Sequence, residues 1–111
     1  MRTINLSQYL DNGLIRTTMH LRERFQMRNT TWQSIEELIT DLEDYALYVR
    51  LYENQNNDLE MNIELEDAEG QLWGLGFRID NGYLYITTLL APHMMRNDIR
   101  YQRVVERLEI V

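Results

Sequence analysis

The chain has 111 residues, no cysteine and a formal net charge of −7 at pH 7. That length is one domain, residues 1–111, able to bury about two thirds of its unfolded surface, and the lack of cysteine excludes disulfides and thiolate metal sites. The negative balance argues against generic nucleic-acid binding, which is driven by counterion release onto a basic surface. No apolar run reaches the roughly 18 residues of a membrane span, and the N-terminal Met-Arg-Thr-Ile-Asn-Leu-Ser lacks the apolar core of a signal peptide. A cytoplasmic protein, of a cell or of an infected host, is the expectation.

The charge is unevenly distributed. Residues 1–28 carry five arginines against Asp11 and Glu23; residues 29–72 carry twelve acids against Arg50 alone; residues 73–111 carry five arginines against four acids. All eleven cations are arginine, the side chain preferred where a planar fork holds phosphate or carboxylate at two points.

In chain order, Thr3 to Leu10 reads as a short helix capped by Thr3 and stopped at Asp11-Asn12-Gly13, with a strand as the competing expectation. Leu14 to Met27 reads as a longer helix, because Leu14, Thr18, Leu21 and Phe25 form one stripe. His20, Arg24 and Arg28, spaced by four, form a cationic row beside it. Thr30 and Gln33 have capping-box spacing. The helix from Trp32 to about Glu43 then buries Trp32, Ile35, Leu38, Ile39 and Leu42 and turns Glu36, Glu37, Asp41 and Glu43 to water.

From Tyr45 the period changes to two. Tyr45, Leu47, Val49 and Leu51 alternate with Ala46, Tyr48, Arg50 and Tyr52 in a first strand. Leu59, Met61, Ile63 and Leu65 alternate with Glu60, Asn62, Glu64 and Glu66 in a second, with one face buried and the other wet and negative. Two further runs, Leu72 to Asp80 and Tyr83 to Leu90, flank Asn81-Gly82, the strongest short-range hairpin signal, because a type I′ turn needs positive φ at both central residues. Gly74 and Gly76 share a face and leave a trough where a helix, a side chain or a ligand can lie. After Pro92, Asn97 caps a final helix, with Arg96, Arg100, Arg103 and Arg107 on one side and Ile99, Tyr101, Val105 and Leu108 on the other. Residues 103–111 read alternatively as a fifth strand. The expected fold is α+β: two or three N-terminal helices packed on a four-stranded antiparallel meander, with a C-terminal helix.

Most chemistries find no motif. Two histidines without a ligand pattern, and Glu60, Glu64 and Glu66 on a strand, do not make a metal site. The glycines match no phosphate-binding loop, and no serine sits in a nucleophile elbow. No cofactor is expected. His20-x-x-x-Arg24-x-x-x-Arg28 on a helix, followed by an antiparallel sheet whose last strand carries Thr87-Thr88 before Ala91-Pro92, resembles small toxin-like ribonucleases of the colicin D and RelE group. That resemblance implies His20 as general acid and base, Arg24 and Arg28 on the scissile phosphate, Thr88 or Thr87 positioning it, and RNA as substrate. Such a site works without metal, since RNA supplies its own 2′-hydroxyl and histidine a base near neutral pKa. His93, just past the last strand, is a second candidate acid and base.

Charge favours a different function. The acids of residues 29–72, with Glu36, Glu37, Asp41, Glu60, Glu64 and Glu66 as contacts, suit a small acidic binding protein of the phage or mobile-element type. It would engage a basic surface of a protein partner as an inhibitor or antidote does, by electrostatic complementarity and fast association. The ribonuclease, active or inactive, is the alternative; a further one is a structural subunit of a virion or homo-oligomer, with cationic ends pairing to an acidic middle.

Overall fold

The computed structural model describes residues 2–54, 56–97 and 103–111. Its elements are β1 (Thr3–Ile4), α1 (Leu6–Asp11), β2 (Ile15–Thr17), α2 (Met19–Met27), α3 (Ile35–Tyr45), β3 (Ala46–Glu53), β4 (Leu59–Glu66), β5 (Leu72–Asp80), β6 (Tyr83–Leu90), α4 (Pro92–Asn97) and β7 (Arg103–Ile110). The strands form one curled seven-stranded sheet in the order β1-β7-β3-β4-β5-β6-β2. β3 to β6 pair antiparallel in sequence, β7 joins β3 antiparallel, β1 lies parallel to β7, and β2 lies parallel to β6.

This overturns the expected architecture. The four-stranded meander is only the middle of a larger mixed sheet, and the N-terminal helices alternate with edge strands rather than preceding the sheet. Residues 3–10 divide into β1 and α1, with Asn5, not Thr3, as N-cap: its side chain accepts from the Gln8 amide at 3.1 Å. The helix expected over Leu14 to Met27 begins only after Thr18. Ile15, Arg16 and Thr17 instead pair with Leu84, Tyr85 and Ile86. Thr18, expected in the buried stripe, is the N-cap of α2: its hydroxyl accepts from the Leu21 amide at 3.2 Å. Each of these edge strands is too short to show a period of its own, and exists because a neighbouring strand offers unpaired backbone groups.

The start of α3 also moves. Ser34 caps it, accepting from the Glu37 amide at 3.1 Å, while the Glu37 carboxylate reaches back to the Gln33 amide at 3.1 Å. This is the reciprocal logic of a capping box, four residues beyond the Thr30–Gln33 pair. Trp32 stays outside the helix, yet is buried: its indole N–H donates to Asp41 at 2.9 Å and its ring packs edge-on against Trp73, centroids 5.5 Å apart.

The C-terminal helix is corrected likewise. Residues 103–110 are strand β7, paired along β3, as the β-branched residues there allowed. The short α4 starts at Pro92, ahead of Asn97. Arg100, Ile99 and Tyr101 lie outside the described residues. The Asn81-Gly82 turn forms as expected, with φ of +52° and +79°.

The sheet separates two environments. Its inner face carries Val49, Ile63, Leu65, Leu75, Phe77, Leu84 and Ile86, which join Leu6 of α1, Leu21 of α2, and Leu38 and Leu42 of α3 in one core. The outer face bears Tyr52, Asn62, Glu64 and Leu90, all buried although outside that core. Here the expected wet face of β4 fails. Asn62 and Glu64 are 1% and 0% exposed, because β4 is a central strand and α4 turns back over this side. Met95 of α4 occupies the gap at Gly74, where a Cβ would stand 2.5 Å from its sulfur.

Candidate functional site

The residues expected to form a nuclease site lie on two elements, His20 and Arg24 on α2 with Arg28 at its end and Thr87 and Thr88 on β6; the hydroxyl of Thr18, the N-cap of α2, donates to the Thr87 carbonyl at 3.3 Å. His20 stands exposed in the first turn of α2. One turn on, Arg24 donates to the Met27 sulfur at 3.3 Å. Arg28 is the C-cap with extended backbone (φ −85°, ψ 143°), so it leaves the helical row. Its side chain enters instead a cavity of about 370 Å³ shared with His93, Asn29, Gln71 and Trp73. α2 buries Leu21 against the inner face, together with Leu84 and Ile86 of β6.

Thr88 lies on the other face. A register shift between Gly76 and Phe77 leaves Thr87 as an extra residue on β6 and sets Thr88 opposite Gly76. There the Thr88 methyl would meet a Cβ built on Gly76 at 2.7 Å, beside the Asn62 side chain. The bulge re-aims this part of β6. The sheet thus stands between Thr88 and the helix that carries His20.

The six candidate binding acids also divide. Glu36 and Glu37 are exposed in the first turn of α3. Asp41 is half-buried and holds the Trp32 indole. Glu60 and Glu66 are exposed on β4. Glu64 is fully buried, with Oε1 2.6 Å from Nε of Arg50. Its Oε2 has no hydrogen-bond partner among the described residues. α3 packs on the inner face and the β4 acids project from the outer one, so helix and strand acids form two surfaces rather than one.

The outer face also holds a concavity. A cavity of about 490 Å³ lies over Gly76, between β4 and β6. The Thr88 methyl fills the space at Gly76, 2.7 Å from the point a Cβ would occupy, with Asn62 Oδ1 and Thr87 Oγ1 each 3.4 Å from the same point. Glu60 adds a carboxylate at the wall, steered by the buried Tyr52, whose hydroxyl donates to it at 2.8 Å. Arg78 also lines the cavity, with its guanidinium over the Tyr85 ring at 5.0 Å. Beyond it Arg16 lies over Tyr83 at 4.7 Å. The paired glycines were the legible trace of this site. Gly74 takes a methionine of α4 and Gly76 takes the Thr88 methyl.

Among the described residues no three His, Asp or Glu side chains cluster as metal ligands, and no helix is long and apolar enough to cross a membrane. Searches with family models, among curated proteins and among solved structures each found nothing that matches this chain.

Proposed function

We propose that this chain is a small binding protein that engages a basic surface of a protein partner, in the manner of an inhibitor or antidote. The observation that supports this is a set of exposed acids with no ion pair among the described residues. Arg2 pairs with Glu106 and Arg50 with Glu64. Glu36, Glu37, Glu43 and Asp44 on α3, and Glu66 on β4, are exposed with no such pair. Exposed charge of one sign raises association rates with an opposite surface and is screened by salt. Twelve of the eighteen acids fall in residues 29–72, and Glu36, Glu37, Glu43 and Asp44 lie exposed on the one helix α3.

A labelled nona-arginine peptide is the defined probe, titrated by fluorescence anisotropy at low and high salt. Neutralising α3 with Glu36→Gln, Glu37→Gln, Glu43→Gln and Asp44→Asn keeps the capping contact of residue 37 as an amide. It should weaken binding about tenfold or more at low salt and flatten the salt dependence. Binding of the unaltered protein that is absent, or indifferent to salt, would refute this function.

A further inference from the structure

We propose that the cavity where the end of α2 meets the β4–β5 turn and α4 binds the phosphate group of a small phosphate ester. The cavity, about 370 Å³, is lined by Arg28, Asn29, Gln71 and His93, with Met27 and Trp73 as apolar wall. Among the described residues no carboxylate lines it. Arg28 is half-buried and has no ion pair among those residues; its Nε is buried with no hydrogen-bond partner. A partly desolvated guanidinium whose charge no acid offsets gains most from an incoming oxyanion. The site stands apart from the basic-surface function and uses none of its acids.

The backbone that carries these residues is held in place before any ligand arrives. The Arg28 amide donates to the Arg24 carbonyl at 2.9 Å, and the Arg28 carbonyl accepts from the Thr30 amide at 3.1 Å. Gln71 is fixed through Asp67: the Asp67 carboxylate accepts from the Gln71 amide, and the Asp67 amide donates to the Gln71 carbonyl, both at 2.9 Å. His93 is the second residue of α4. Donor residues therefore come from three separate segments. Tetrahedral phosphate oxygens accept from several directions, whereas a carboxylate takes its donors near one plane. The carbonyl end of α2 opposes an anion, so the side chains must supply the attraction. The volume falls within the roughly 300–1,000 Å³ of small-molecule pockets, and the apolar wall offers contact to the body of an ester. A polyanion such as RNA is disfavoured by the net charge of −7.

The test titrates phenyl phosphate into the full isotope-labelled chain at constant ionic strength. NMR follows the Arg28 Nε–H and the Asn29 and Gln71 side-chain amides, which should shift saturably in the millimolar range or below. Arg28→Met, which keeps the stem and loses the fork, should weaken binding about tenfold or more, and His93→Gln about threefold. Arg28→Lys keeps the charge without the fork and should weaken it about threefold, which guards against a folding defect in the methionine variant. Arg22→Gln, exposed on the same helix and outside the cavity, should leave affinity within about twofold. Absent or unsaturable shifts, or equal losses from Arg22→Gln and Arg28→Met, overturn the site. Benzoate binding as tightly as phenyl phosphate overturns the phosphate assignment, and inorganic phosphate doing so overturns the ester. A single-stranded RNA oligonucleotide that binds the same residues more tightly than phenyl phosphate overturns the small ligand. None of these outcomes bears on the acidic binding function, which the arginine peptide tests separately.

Discussion

Asp67 joins the β4–β5 turn to the tryptophan pair, and its replacement gives a graded, checkable result. The residue is 8% exposed. Its Oδ1 accepts from the Glu69 and Gln71 amides, both at 2.9 Å, and its Oδ2 from the Trp73 indole N–H at 2.8 Å. Asp67→Ala removes all three bonds. The two turn amides lie where water can replace the carboxylate, at about 0.5–1 kcal/mol each, while the buried indole donor is left unsatisfied at about 1–3 kcal/mol. The expected loss is about 2–5 kcal/mol. Asp67→Asn keeps one oxygen for the two amides but turns an NH₂ toward the indole N–H. Flipping the amide only moves the clash to the backbone, so the loss should be about 1–3 kcal/mol. Trp73→Phe removes the indole donor, and in that background Asp67→Asn should cost less than about 1 kcal/mol. Urea unfolding followed by far-UV circular dichroism measures all five proteins without depending on tryptophan emission. The same cost for Asp67→Asn in both backgrounds would show that the indole bond is not what Asp67 supplies.

Two further outcomes follow from charge placement. Arg50→Met strips the arginine paired with the buried Glu64, and should cost about 3–5 kcal/mol in urea unfolding. Adding Glu64→Leu should restore most of that; a double variant no more stable than the single one would refute an uncompensated charge as the cause. At the sheet edge, the Arg2 hydrogen bond holds the Glu106 carboxyl below its ordinary range, against desolvation, which pushes it up. A depressed folded value makes the contribution present above the unfolded carboxylate range, about pH 4.3, and lost as pH falls through the folded value. The stability gap between the parent and Glu106→Gln should therefore be constant above about pH 5 and close on acidification in pH-dependent thermal melts. A gap that widens toward low pH would contradict the sign.

What the chain encodes locally is legible without coordinates. Asn81-Gly82 specifies its turn because positive φ is a property of the residues themselves. β4, β5 and β6 show their period of two. The body of α3 shows its apolar stripe, and Leu38 and Leu42 are buried as expected. The Gly74–Gly76 trough was visible as a space, though not what would fill either half.

Tertiary structure alone decided the rest. Thr3–Ile4 and Ile15–Thr17 are strands because β7 and β6 offered them backbone partners, a cause many residues away that no local window contains. The row His20–Arg24–Arg28 is broken because α2 ends before Arg28 and Thr88 faces away across the sheet. Glu64 and Asn62 read as a wet face from their alternation with Ile63 and Leu65, yet both are buried. Alternation tells which residues share a side of a strand; whether that side meets water depends on the elements that fold over it, here α4 returning from the end of β6.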